Sequence, residues 1–330
     1  MLMTAIDRDM LECVVRRTTA QLPPTPTRIR RAEPSAAQRA QLEHQLRRYA
    51  RGAGFPLAEW ERLAAERRAE QRTLLQTFDA DGIVDARRDE AQRVEALDSW
   101  REAQRLLPPE AQAATITLDQ PFAVSLLTHA QPVNFSSHIE PLNSFARLSI
   151  DTHHGSDTVL AIFFFLWQNP SDAIAVINAL TMLRFNGVCV VEADTGFFSG
   201  HRNVLDVRAI LGLFRWSGWG TDGNGNPLDG TPLPVFTGNT SQQVTFLQAN
   251  GGGLFDVPDL VGDTLRGRPI GLDAESIVVP GGASVLFQVQ VVTSYAIEDG
   301  GDFDIVQVHF GNDDLVQRIT CPFLKIELLT

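Results

Sequence analysis

The loop WSGWGTDGNGNPLDG, Trp216 to Gly230, sets two tryptophans among Gly, Asp and Asn. Sugar sites use that mix, with aromatic faces for the ring and short polar side chains for its hydroxyls. Trp216, Trp219, Asp222, Asn224 and Asn226 are therefore the candidate ligand-binding residues. The plainer reading is that Trp216 carries the strand AILGLFRW into the core and the rest is a turn. Asp222, Asn224, Asn226 and Asp229 also supply oxygen ligands at alternating positions, as a calcium loop does. The EF-hand pattern is incomplete, with Pro227 in its glycine position and Leu233 where its bidentate Glu belongs. No cofactor is expected, calcium being the one the spacing suggests.

Other chemistries find less support. His138, Glu140, Asp151, His153 and His154 lack the H-x-H spacing of a cupin-like metal site, and adjacent strand residues point to opposite faces. There is no G-x-S-x-G nucleophile elbow and no local Cys–His pair. Asp256, Asp259 and Asp263 are carboxylates without a fixed geometry. There is neither a P-loop nor a dinucleotide fingerprint. Cys13, Cys189 and Cys321 are far apart and odd in number, which argues against a disulfide framework and a cysteine-based zinc site. Lys325 is the only lysine, so Schiff-base chemistry has one candidate.

Positioning such residues falls to a chain of 330 residues with 44% hydrophobic content, enough for a substantial core. The net charge of −12 is uneven. Residues 1–112 hold 19 basic and 18 acidic side chains, whereas residues 113–330 hold 9 and 22. The second region repels nucleic acid and anionic lipid at long range. Residues 13–55 carry nine arginines, Arg28, Arg30 and Arg31 among them, against Glu33 and Glu43. That basic arm suits the acidic region of a neighbouring subunit, and is the only part suited to nucleic acid. The N-terminus, with Asp7, Asp9 and Glu12, is not a Sec-type signal peptide, so cytoplasmic synthesis is expected, with release as part of an assembled particle as one outcome.

Periodicity divides the chain in two. Met3, Ile6, Met10, Cys13 and Val14 fall on one helical face, and residues 56–107 carry thin apolar stripes between heavily charged faces. Four prolines in LPPTPTRIRRAEPS make residues 22–35 an extended arm. From Thr115 the period becomes two: Val285, Phe287, Val289 and Val291 alternate with Leu286, Gln288, Gln290 and Val292. Asn186-Gly187 reads as a type I′ hairpin turn and Pro280-Gly281-Gly282 as a second turn. The expected class is α+β with segregated parts. A helical region (1–112), with its arm and a helical hairpin or coiled-coil-like segment (56–107), precedes an antiparallel, jelly-roll-like β-sandwich (113–330).

One stretch, VLAIFFFLW from Val159 to Trp167, is apolar on both strand faces. As a helix it would rise only about 13 Å against a hydrocarbon layer of about 30 Å. Its lack of alternation also disfavours a porin-like strand. One face fits a sandwich core. The other, Leu160, Ile162, Phe164 and Leu166, needs the N-terminal helices or another subunit. The leading expectation is thus a non-catalytic structural or self-assembly subunit of a shell, tail-like particle or filament, whose arm and doubly apolar strand contact other copies or co-assembling proteins. The alternatives are a carbohydrate- or surface-binding sandwich module, with a glycan as partner, and an enzyme whose site is not legible.

Overall fold

The computed structural model describes residues 62, 66, 69, 115–128, 133–193, 202–216, 240–251, 259–298, 304–311 and 317–329. Among these residues, thirteen strands carry the fold. They are β1 (Thr115–Leu118), β2 (Ala123–Leu127), β3 (Val133–His138), β4 (Phe145–Thr152), β5 (Gly155–Gln168), β6 (Ala175–Ala193), β7 (Arg202–Trp216), β8 (Thr240–Asn250), β9 (Asp259–Val279), β10 (Ser284–Ile297), β11 (Ile305–Phe310), β12 (Arg318–Thr320) and β13 (Leu324–Leu329). Every pairing is antiparallel. An eight-stranded sheet runs β1-β13-β6-β11-β4-β12, with β3 on β4 and β9 on β6, and a five-stranded sheet runs β2-β5-β10-β7-β8.

The two sheets pack face to face. Val159, Ala161, Phe163, Phe165 and Trp167 of β5 meet Leu148, Ile150, Phe185, Val308 and Phe310 of the larger sheet in one main core. Of the three central strands of the smaller sheet, β5 is apolar on both faces from Val159 to Trp167, while β10 and β7 carry apolar and polar residues on the outer one. Their register aligns Phe163 with Val289 and Leu211, and Phe165 with Phe287 and Leu213. The opposite face forms a second cluster of Leu160, Ile162, Phe164, Ile210, Phe214, Trp216, Leu286 and Val292, with Phe122, Leu127 and Leu166 packed against it. Near its centre the Gln290 Nε2 donates to Gln288 Oε1 at 2.8 Å, and both side chains are buried. The Gln288 Nε2 and the Gln290 Oε1 have no hydrogen-bond partner.

The α+β expectation is overturned. The described residues are almost entirely antiparallel strand, and helical geometry among them is confined to Arg62, Glu66 and Ala69, with an Arg62–Glu66 pair at 2.6 Å. The physical reason is that, among the described residues, two sheets close the main core against each other without a helical layer between them. The rest of the 1–112 region, including the 22–35 arm with Arg28, Arg30 and Arg31 and the 56–107 segment, lies outside the described residues. The eight and five strands also exceed the eight in all of a jelly roll.

Asn186-Gly187 is not a turn. Both residues lie inside the 19-residue strand β6, at a register shift against β9. The glycine is needed for close approach, since a Cβ there would stand 2.2 Å from the His309 carbonyl oxygen. Pro280-Gly281-Gly282 does turn the chain from β9 to β10, with Gly282 at φ +69° and the Ala283 N–H donating to the Pro280 carbonyl at 3.1 Å. The buried Asn169 ties β5 to this turn. Its Nδ2 donates to the carbonyls of Ala173, Val279 and Pro280 at 2.9, 3.3 and 3.2 Å.

Candidate functional site

The outer face of the five-stranded sheet changes character along its length. At the Trp216 end it is the buried second cluster. At the other end Arg202, Val204, Asp206 and Arg208 of β7 lie beside β8, the last strand of the sheet among the described residues. The register sets Arg202 against Asn250, Val204 against Gln248, Asp206 against Phe246 and Arg208 against Gln243. Phe246 is 49% exposed, the one aromatic ring among the six large apolar side chains that stand exposed among the described residues.

A β-bulge places Gln243 in this row. Strict alternation from Phe246 would turn Val244 outward and Gln243 inward. Instead the register shifts between Val207 and Arg208, so Val244 is an extra residue. Val244 and Thr245 are then both buried, and Gln243 emerges beside Asp206. Residues of β9 hold the bulge from the far side. The Arg268 Nη1 donates to the Val244 carbonyl at 2.8 Å and to Asp263 Oδ2 at 3.1 Å. Thr245 Oγ1 donates to the same Asp263 oxygen at 2.7 Å.

The polar side chains around the ring orient one another. Arg208 Nε donates to Asp206 Oδ2 at 2.7 Å, and Gln243 Nε2 to Asp206 Oδ1 at 3.2 Å. On the other side of Phe246, Arg202 Nη2 donates to Gln248 Oε1 at 2.7 Å, and Gln248 Nε2 to Asn250 Oδ1 at 2.9 Å. The Arg208 side chain remains 51% exposed, so its outer guanidinium edge faces solvent. An apolar ring flanked by fixed donors and acceptors can stack a ligand with one apolar face and bond a polar rim around it.

Reactive groups are arranged less suggestively. Among the described residues no group of three His, Cys, Asp or Glu is placed to hold a metal ion. His138 Nε2 stands 3.2 Å from Glu140 Oε2 in an exposed pair, and His153 and His154 lie in the bend between β4 and β5. Both described thiols are buried. Burial, and secondarily the charge of Asp263, pushes the Cys189 thiol far up. Burial pushes the Cys321 thiol up to about 12, against the lowering effect of the Thr181 hydroxyl. A thiolate is the reactive form, so neither cysteine should be alkylated by iodoacetamide at pH 8 in the native protein, and both should react in urea. Peptide mapping checks this, and native labelling of either residue would contradict it.

Of the residues singled out from sequence, Trp216 is buried in the second cluster. Trp219, Asp222, Asn224, Asn226 and Asp229 lie outside the described residues. Leu160, Ile162 and Phe164 are buried within the single chain, and Leu166 is half-buried. Sequence reasoning missed the row around Phe246. Its signal was a lone Phe on the polar side of TFLQAN, where Phe246, Gln248 and Asn250 alternate with Leu247 and Ala249.

No family model matches the chain, and no curated protein matches it in sequence. Among solved structures, a carbohydrate-binding module in complex with beta-1,4-galactotriose is similar at 10% identity, over 63% of this chain and 91% of that one, with a TM-score of 0.23. The enzymatically active domain of tailspike protein 4 of bacteriophage CBA120 is similar at 9% identity, over 62% of this chain and 19% of that one, with a TM-score of 0.22. A CocE/NonD family hydrolase from Staphylococcus aureus is similar at 10% identity, over 53% and 33% of the two chains, with a TM-score of 0.17. TM-scores of this size do not establish a shared fold.

Proposed function

We propose that this chain is a non-catalytic binding module that holds carbohydrate on the open half of the five-stranded sheet. The observation that carries the reading is Phe246, half exposed directly opposite Asp206, with hydrogen-bonded polar pairs on both sides. A sugar ring offers an apolar face and a rim of hydroxyls. Stacking on Phe246 removes apolar surface from water, while Asp206, Arg208, Gln243 and Gln248 meet the rim. Because these side chains already hold each other, binding loses little rotamer entropy. The assembly reading has less support, because Leu160, Ile162 and Phe164 are buried in the single chain and offer little surface to a neighbour.

A glycan array with the wild-type protein and Phe246→Ala tests the proposal. The variant should bind at least about tenfold more weakly, a loss of about 1.4 kcal/mol or more. Its stability should stay within about 0.5 kcal/mol of wild type, as for other surface changes. Failure of the wild type to bind any glycan, or binding indifferent to the substitution, overturns it.

A further inference from the structure

We infer that the ligand of this face is a linear, uncharged saccharide chain bound along its side, not at its end. The inference rests on the carbohydrate reading above.

The first argument is shape. The row from Arg202 to Arg208 covers six residue steps along β7, about 20 Å at about 3.3 Å per step. Arg202 and Asn250 at one end and Arg208 and Gln243 at the other are all exposed. Among the described residues, both ends of the row thus present exposed side chains, although along β7 the face passes beyond Arg208 to the buried Ile210. The polar pairs stand before and after Phe246 along the strand, the order in which successive units of a chain would meet them.

The second argument is charge. Each guanidinium is tied within the face, Arg208 to the Asp206 carboxylate and Arg202 to the Gln248 carboxamide. Asp259 lies at the row's end, accepting from the Asn250 N–H at 2.9 Å. Two cations and two carboxylates leave the row without net charge. Around it, residues 113–330 carry 9 basic and 22 acidic side chains, a field that repels a polyanion. At 0.15 M salt the screening length is about 8 Å, so charges outside the row are largely screened there and the repulsion is felt mainly at low salt. A chain bearing uronates or sulfates meets repulsion with no surplus positive charge to offset it, whereas a neutral chain meets neither.

Affinity electrophoresis of the full chain tests this with matched polymers. The neutral set is dextran, hydroxyethyl cellulose, xylan and galactan. The acidic set is polygalacturonate, alginate and dextran sulfate. Each is run at 20 mM and 150 mM NaCl, with Phe246→Ala alongside. At least one neutral polymer should bind, change less than about twofold between the two salts, and lose at least tenfold in the variant. Its monosaccharide should bind at least tenfold more weakly than the polymer. The acidic polymers should bind at least tenfold more weakly than the neutral one at 20 mM. An acidic polymer that binds best, or a monosaccharide that binds as tightly as its polymer, overturns the inference while leaving the carbohydrate reading standing. Binding that Phe246→Ala leaves unchanged removes both from this face. Absence of binding by every polymer overturns the carbohydrate reading itself.

Discussion

Phe164→Ala should lower the unfolding free energy by about 3–5 kcal/mol, the range for deleting a buried aromatic ring. Phe164 has 0% exposure although it faces away from the main core. In register it lies between Ala123 of β2 and Gln288 of β10, with the Phe122 ring centroid at 6.0 Å. If this face were open to water, the change would cost well under 1 kcal/mol, as at other surface positions. Urea unfolding with an unchanged m-value measures the difference. A loss under 1 kcal/mol would show that the second face is not covered within the chain.

Gly187→Ala is the second large effect. The added methyl would meet the His309 carbonyl oxygen at 2.2 Å and Phe310 Cδ1 at 2.4 Å. Neither neighbour can yield easily. His309 pairs with Val188 across the β6–β11 ladder, and the fully buried Phe310 packs edge-on to Phe185 at a centroid distance of 5.9 Å. The clash should cost about 3 kcal/mol, at the upper end of ordinary overpacking. Thermal unfolding of the variant checks this, and a melting temperature within 1–2 °C of wild type, less than about 0.5 kcal/mol would produce, would refute it. Carbohydrate binding should be unaffected, because Gly187 lies in the opposite sheet from Phe246.

These two positions show what the sequence made legible. The doubly apolar run Val159–Trp167 announced a central strand, because only a strand covered on both sides tolerates apolar residues without alternation. The alternation of Val285 to Val292 likewise sorted β10 correctly, placing Val285, Phe287, Val289 and Val291 in the main core. Gly187 was misread because a glycine that permits a turn and a glycine that permits close approach look alike locally. Only the position of His309, more than a hundred residues away, distinguishes them. The row around Phe246 was hidden for a similar reason. Counting by twos puts Gln243 on the inner face, and the bulge that reverses it is secured by Arg268 and Asp263 of another sheet. The 3.6 periodicity of residues 1–112 was visible, but local periodicity does not reveal which elements will share a core.

The bulge has a consequence for how this protein stays apart from its copies. An end strand offers unpaired N–H and C=O groups as a template on which a foreign strand can add, the first step of fibrillar growth. In β8 the Val244 carbonyl is occupied by the Arg268 guanidinium and the Asn250 N–H by the Asp259 carboxylate. The extra residue also breaks the flat run of groups that a docking strand would have to match. The irregularity that turns Gln243 outward thus also makes the rim of the sheet a poor seed for aggregation.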